Sequence, residues 1–162
     1  MAKPVKAIPD DFPGATPYLS IRGAADAIDF YKRAFGATEI MRLPMPDGRI
    51  GHADLKIGHA TIMLADEFPE MGFRGPQSLG GTPVGIHIYV EDVDAMAARA
   101  TAAGATLEAP VKDEFYGDRT VRLNDPYGHR WLFATRKEDV SPEEVQRRAA
   151  ALFGGGDARG GQ

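Results

Sequence analysis

Two histidines and one aspartate have the residue types and the spacing of a small polar site. His52 and Asp54 lie two positions apart, so on a strand their side chains share one face. His87 lies on the inward face of a later predicted strand. Imidazole and carboxylate groups suit zinc, nickel or iron, and they equally suit hydrogen bonds to a polar ligand. The residue types therefore leave a metal site and a ligand-binding site both open.

A cation and two aromatic side chains extend this candidate set. Arg122 shares a predicted strand face with Asp118 and Thr120. Its guanidinium group can contact an anion or carboxylate of a ligand, or it can join a surface array of salt bridges. Phe115 and Tyr116 lie in the loop before that strand. They can stack on a planar ligand, or they can close a cleft or a dimer interface.

Further side chains are expected to supply apolar binding surface or structural support. The expected apolar ligand contacts are Tyr18, Met63, Tyr89 and Leu132. The other two histidines, His59 and His129, each follow a glycine in a tight turn and are expected to have only a turn role. Trp131 is expected in the core, because it opens an apolar run.

The elements that must position these residues come from a duplicated unit. Tyr18-Leu-Ser-Ile21 is followed 69 residues later by His87-Ile-Tyr-Val90. Gly36 and Gly104, each before Ala-Thr, are 68 residues apart, and Gly58 and Gly128, each before histidine, are 70 apart. Nearly constant offsets over separated landmarks indicate an internal repeat.

Each repeat predicts a strand, a helix and three more strands. The predicted elements of the first repeat are a strand at 18–21, a helix at 24–35, and strands at 38–44, 51–57 and 60–65. Those of the second are a strand at 85–90, a helix at 93–103, and strands at 106–111, 119–124 and 130–135. Ser141 and Glu144 form a capping box with Pro142 at the first helical position, which predicts a helix to about Phe153.

These elements predict an α+β protein with six segments. They are an extended lead-in at 1–15, a first βαβββ module at 16–68, a Gly/Pro connector at 69–83, a second module at 84–136, a C-terminal helix within 137–153 and a disordered tail at 154–162. In each module one sheet face packs on the helix, and the opposite face is mixed in polarity. Such a face is typical of a ligand-facing surface.

The bulk composition narrows the class of function. The net charge of −4 and the lack of a basic stripe argue against nucleic-acid binding. No apolar run approaches the length of a membrane span, and the N-terminal residues lack an apolar signal core. The sequence has no cysteine, which excludes disulfides and thiolate metal ligands. We therefore expect a soluble cytoplasmic protein without a nucleic-acid or membrane partner.

With the repeat in hand, the chain resembles the vicinal oxygen chelate superfamily, and within it the PhnB-like branch. That superfamily includes glyoxalase I, the extradiol dioxygenases and the fosfomycin and bleomycin resistance proteins. The resemblance covers residues 14–136 and rests on the segments 16–19, 27–31, 34–37, 62–67, 90–94, 115–119 and 125–131. It implies two paired βαβββ modules that form an open, barrel-like cleft, often completed in a homodimer.

The same resemblance implies where a metal would be held. Metal-using members carry His, Gln or Glu ligands on the first and last strands of each module, and the ion acts as a Lewis acid. Aligned by the repeat, those positions hold Thr16, Met63, Gly85 and Leu132. A lone neutral hydroxyl cannot hold a transition metal. We therefore expect no metal or other cofactor at this site and no glyoxalase I activity.

Three functions remain open at this point. The first is the binding of a small apolar or aromatic molecule in the cleft between the modules, with His52, His87 and Arg122 fixing its orientation. The alternative is a metal-dependent lyase, isomerase or dioxygenase that uses a non-standard site of His52, Asp54 and His87. A structural or regulatory dimer without a ligand is a third possibility.

Overall fold

The computed structural model describes residues 5–154 and contains two βαβββ modules in tandem. The first comprises β1 (Tyr18–Ile21), α1 (Ala24–Phe35), β2 (Thr38–Pro44), β3 (Ile50–Ile57) and β4 (Ala60–Asp66). A 3₁₀ turn (Pro69–Met71) and the short helix α2 (Pro76–Leu79) follow. The second module comprises β5 (Gly85–Tyr89), α3 (Val93–Ala103), β6 (Thr106–Asp113), β7 (Asp118–Asn124) and β8 (Arg130–Arg136), and α4 (Pro142–Phe153) ends the fold. The predicted α+β class, tandem modules and C-terminal helix are confirmed; the predicted tail at 154–162 lies outside the described residues except for Gly154.

Local sequence sets where the helices begin and end. α1 ends at Gly36, whose φ of 66° is a left-handed conformation that glycine adopts without strain. α3 begins after Asp92, whose carboxylate accepts a hydrogen bond from the backbone N–H of Ala95 at 2.9 Å. α4 begins after Ser141, whose hydroxyl accepts from the N–H of Glu144. None of the helices within residues 5–154 has the length and apolar character needed to cross a membrane.

The two sheets have the same strand order. The first sheet runs β1-β4-β3-β2 and the second β5-β8-β7-β6. β1 is parallel to β4 and β5 is parallel to β8, while the other neighbours are antiparallel. In the first sheet this register aligns Tyr18, Met63 and Asp54 in one row across three strands. In the second sheet it aligns His87, Leu132 and Arg122 in the equivalent row.

The two modules share one hydrophobic core. α1 packs against α3, and the ring of Phe35 lies 4.9 Å from the rings of both Trp131 and Phe133 on β8. Trp131 is fully buried, as the sequence predicts. The helix-bearing sides of both sheets therefore meet in a common interior. Their other sides, which we call the open faces, point away from that core and away from each other.

The connector between the modules is more ordered than its Gly and Pro content suggests. Phe68 and Phe73 exchange two backbone hydrogen bonds of 2.8 and 3.1 Å, which close a small loop around the 3₁₀ turn. The carboxylate of Glu67 accepts from the N–H of Gly75 at 2.7 Å. We call residues 67–75 the strap, because they cross the end of the first sheet beside β1.

Candidate functional site

The structure places the predicted site residues in two groups, one on each open face. Those associated with the first sheet are Tyr18, His52, Asp54 and Met63. Those associated with the second sheet or the loop before β7 are His87, Tyr89, Phe115, Tyr116, Arg122 and Leu132. Because the helix-bearing sides of both sheets face one core, a single chain does not bring these groups together.

Tyr18, His52 and Asp54 form a continuous chain of hydrogen bonds on the first open face. The hydroxyl oxygen of Tyr18 lies 2.7 Å from Nδ1 of His52. Nε2 of His52 lies 2.9 Å from Oδ1 of Asp54, whose side chain is almost fully buried. Burial, followed by the nearby Asp54 charge, raises the pKa of Tyr18, so its hydroxyl is protonated at neutral pH. The arrangement is a tyrosine–histidine–carboxylate relay that links β1 to β3 across the intervening strand β4.

An open apolar groove of about 480 Å³ begins at this relay and runs under the strap. Its described lining consists of Tyr18, Leu43, Met45, Gly51, Ala65, Phe68, Met71 and Phe73. The rings of Tyr18 and Phe73 meet edge to face at 5.5 Å, and the Arg49 guanidinium lies 4.2 Å from the centre of the Phe68 ring. The volume falls in the range of small-molecule sites.

The second open face is polar and internally bonded. The hydroxyl of Tyr89 donates a 2.6 Å hydrogen bond to Asp118, and this bond is the main reason that the pKa of Tyr89 is raised. The ring of His87 packs edge-on against Tyr89 at 4.9 Å. Arg122 is half-buried, and Glu108, the carboxylate beside it, is bound instead by Arg130. Arg122 forms no ion pair with any residue that the structure describes.

One of the two aromatic residues of the β6–β7 loop, Phe115, packs against the C-terminal helix. Phe115 meets Tyr116 at 5.3 Å and Phe153 of α4 at 5.9 Å, both edge to face. Arg148 of α4 donates to the Phe115 carbonyl at 3.0 Å. Phe115 therefore belongs to the contact between α4 and this loop, while Tyr116 is the more exposed of the two.

The remaining histidines lie at turns, and one of them also joins the modules. His59 lies in the turn between β3 and β4, as expected. His129 immediately follows the β7–β8 turn, and its Nε2 lies 3.2 Å from the carbonyl oxygen of Ser20 on β1. The predicted turn position is thus observed, together with a contact between modules that its sequence position alone does not indicate.

Comparison with known proteins identifies the family. The profile of the Glyoxalase/Bleomycin resistance protein/Dioxygenase superfamily matches residues 18–133. The chain belongs to this superfamily. Its relatives include the uncharacterized protein Mb0911c of Mycobacterium bovis, which is 45% identical over 148 residues, covering 90% of this chain and 95% of the relative. The uncharacterized Arabidopsis thaliana protein At5g48480 is 31% identical over 132 residues, covering 75% of this chain and 76% of the relative.

Solved structures of other proteins share the fold. TioX from Micromonospora sp. ML1 is 29% identical, with a TM-score of 0.62 over 79% of this chain and 99% of TioX. The PhnB protein of Bacillus cereus is 17% identical, with a TM-score of 0.58 over 75% of this chain and 98% of PhnB. At that identity the likeness to PhnB concerns the fold alone.

The superfamily's metal positions do not fit a metal in this member. They hold a hydroxyl at Thr16, a thioether at Met63, no side chain at Gly85 and an alkyl group at Leu132. This donor set lacks an imidazole or carboxylate ligand. Within residues 5–154 no three His, Asp or Glu side chains converge as metal ligands. His52 and Asp54 are adjacent, but His87 lies on the other sheet, so one chain does not assemble the alternative metal set.

Sequence reasoning missed several groove residues. Leu43, Phe68 and Phe73 were not candidates; Phe73 lies in the predicted Gly/Pro connector and Phe68 lies directly before it. A usable signal was present, because Phe68 and Phe73 flank a loop with Pro69 and Gly72. Two aromatic residues around such a turn are spaced to pair across it.

Proposed function

We propose that this superfamily member binds a small, largely apolar molecule in the groove between the first open face and the strap. The groove itself is the observation that carries the proposal. Its lining is aliphatic, aromatic and thioether-rich, and Leu43, Met45 and Met71 are exposed in the free protein. Exposed apolar surface of this kind gains free energy when a ligand covers it.

The polar relay at one end of the groove supports a binding site rather than a simple surface depression. Ligand pockets combine apolar walls with a few placed polar groups that fix orientation. Here the Tyr18 hydroxyl occupies that position, held by His52 and Asp54. The methionine side chains can adapt to ligands of different outline.

A fluorescent probe tests this proposal directly. N-phenyl-1-naphthylamine is a neutral aromatic amine whose emission increases in apolar surroundings. We expect it to bind the native protein with saturation, and Leu43→Asp to weaken its affinity about tenfold or more, because a carboxylate would then line the apolar groove.

The second module supplies the matched control. Leu107 lies on the edge strand β6 and is as exposed as Leu43, at 47% against 52%. Leu107→Asp is expected to leave probe affinity unchanged, and thermal melts show whether either variant loses stability. Equal weakening by both substitutions, or no saturable binding to the native protein, would refute the groove as the site.

We also propose that two copies associate through their open faces to form a homodimer. Tyr18 on the first face and Tyr89 on the second are about half exposed, and the two faces point apart in one chain. A first face set against the second face of another copy would enclose both predicted groups in one cleft. Arg122 could then contact an anionic group of a ligand in the groove.

The mass in solution tests the dimer. Light scattering after size exclusion at micromolar concentration should give about twice the 17.5 kDa chain mass. Tyr89→Arg is expected to yield monomer, since it removes the aromatic ring from the face while leaving Asp118 a cationic partner. A monomeric native protein would overturn this arrangement.

The cytoplasmic location remains a prediction from the cysteine-free composition.

A further inference from the structure

We propose that the Tyr18–His52–Asp54 relay makes the groove select ligands that carry an N–H or O–H donor. This inference rests on the proposed function, since it assigns the chemical class of the ligand in that groove. It follows from the order in which the three side chains must share their protons.

The assignment of donors and acceptors in these hydrogen bonds begins with Asp54. An ionised carboxylate only accepts hydrogen bonds, so Nε2 of His52, 2.9 Å away, must carry a hydrogen. A neutral imidazole has one N–H, which leaves a lone pair on Nδ1. With His52 neutral, the Tyr18 hydroxyl, 2.7 Å from Nδ1, donates its only hydrogen to His52. The lone pairs of the Tyr18 oxygen remain available to accept.

That oxygen is the main polar side-chain atom of the groove. The other described lining residues are aliphatic or aromatic, or carry only the weakly accepting methionine sulfur. Tyr18 is 46% exposed, so a bound molecule can reach its hydroxyl. A ligand N–H or O–H placed there gains a hydrogen bond.

A ligand that carries only a hydrogen-bond acceptor is disfavoured at the Tyr18 hydroxyl. To donate to it, Tyr18 would have to turn its hydrogen away from His52. Nδ1 of His52, a ring only partly accessible to solvent, would then lose its partner. An unsatisfied, partly buried polar atom is costly. The relay thus favours donors and disfavours acceptors at the same point.

Indole and benzofuran form a suitable probe pair, because they share shape and differ in an N–H donor against a ring oxygen. Each is titrated against bound N-phenyl-1-naphthylamine to give a competition constant. We expect the native protein to prefer indole about three- to tenfold, the range of one neutral hydrogen bond. Tyr18→Phe should reduce that ratio to near one.

A second variant separates the relay from the hydroxyl alone. Asp54→Asn keeps Tyr18 but places an amide that can donate to Nε2 of His52, which lets Nδ1 carry the hydrogen and frees the Tyr18 proton. The indole preference should fall in this variant as well. Tyr127→Phe removes a partly buried phenol at the β7–β8 turn that does not line the groove, and it should leave the ratio unchanged.

The outcomes distinguish this inference from the proposed function. A native protein that binds N-phenyl-1-naphthylamine but shows no indole preference refutes the donor selection alone. A preference that persists in Tyr18→Phe, or that survives intact in Asp54→Asn, also refutes it. Failure of the native protein to bind the naphthylamine probe refutes the groove itself.

Discussion

The hydroxyl of Tyr31 donates a 2.6 Å hydrogen bond to Oδ2 of Asp125, and this bond joins α1 of the first module to the β7–β8 turn of the second. The same carboxylate accepts from the indole N–H of Trp131 at 2.9 Å and from the backbone N–H groups of Tyr127 and His129. Burial, followed by the Asp125 charge, raises the pKa of Tyr31 and keeps it a donor. One buried anion thus connects the two halves.

Substitution of Tyr31 or of Asp125 should destabilise the protein, and the two substitutions should do so by different amounts. We expect Tyr31→Phe to lower the free energy of unfolding by about 1.5–3 kcal/mol, the usual worth of a hydrogen bond to a charged group. Asp125→Ala should cost more, because it leaves the Tyr31 hydroxyl and the Trp131 N–H buried without an acceptor. Urea denaturation measures both. Equal effects of the two substitutions would contradict this account of the cluster.

Gly75 is predicted to set the position of the strap. A Cβ atom at this residue would lie 2.5 Å from the carbonyl oxygen of Ser20, which is rigid backbone. Gly75→Ala should therefore displace the strap from β1 and weaken N-phenyl-1-naphthylamine binding several-fold. Gly14→Ala is the matched control, because its Cβ would meet no atom within 4 Å. Unchanged affinity in Gly75→Ala would show that the strap does not shape the groove.

The attachment of α4 should depend on pH. Hydrogen bonds from Arg147 and then Arg148 lower the pKa of Glu144 to about 2, from an ordinary value of 4.5. A lowered pKa in the folded state adds stability that is fully present above 4.5 and is lost as the pH falls through about 2. Hydrogen-exchange protection of residues 142–153, relative to α1, should decline over that window.

Glu144→Gln should remove most of this pH dependence, with the remainder due to Glu138, whose pKa Arg148 also lowers. Glu143→Gln, one position earlier on the same helix, forms the control, because Glu143 has no ion pair among the bonds described for α4. Protection that stays constant between pH 4.5 and 2 in the native protein would contradict the prediction.

Arg99 should stabilise the end of α1 from the neighbouring helix. Its guanidinium donates to the carbonyl oxygens of Arg33 at 2.7 Å and Lys32 at 3.1 Å, groups that the end of a helix leaves without partners. Arg99→Ala is expected to lower the free energy of unfolding by about 1 kcal/mol. Arg33→Ala, which removes an exposed side chain, should have little effect in the same denaturation assay.

Strand and helix positions were predictable because each is governed by local chemistry. The helix bounds of α1 and α3 agree with the observed ones, since Gly36 and Gly104 end both helices in left-handed conformations. β3 and β7 each begin one residue earlier than expected, β4 and β8 each extend one residue further, β6 extends two residues further, and β5 ends one residue earlier. The short elements of the connector were missed, because their Pro and Gly content also describes an irregular loop.

The relation between the modules was not predictable from periodicity. Helical spacing places Ile28 and Tyr31 on one apolar face of α1, but Phe30 and Phe35 are also buried. These two residues widen the buried stripe until it reaches the second module. An amphipathic pattern shows that a helix has a face to bury, but not which element will cover it. The adjacency of Tyr18 to His52 likewise depends on strand order, which couples residues 34 positions apart.

The shared interior has a mechanical consequence for ligand entry. α1 and α3 pack together beneath both sheets. The two modules therefore cannot rotate about the connector without separating the shared core. Any change in the width of the open groove must therefore come from the strap or from individual side chains. The protein would behave as a stiff frame in which only the strap and the side chains beside it adjust the groove to the outline of a ligand.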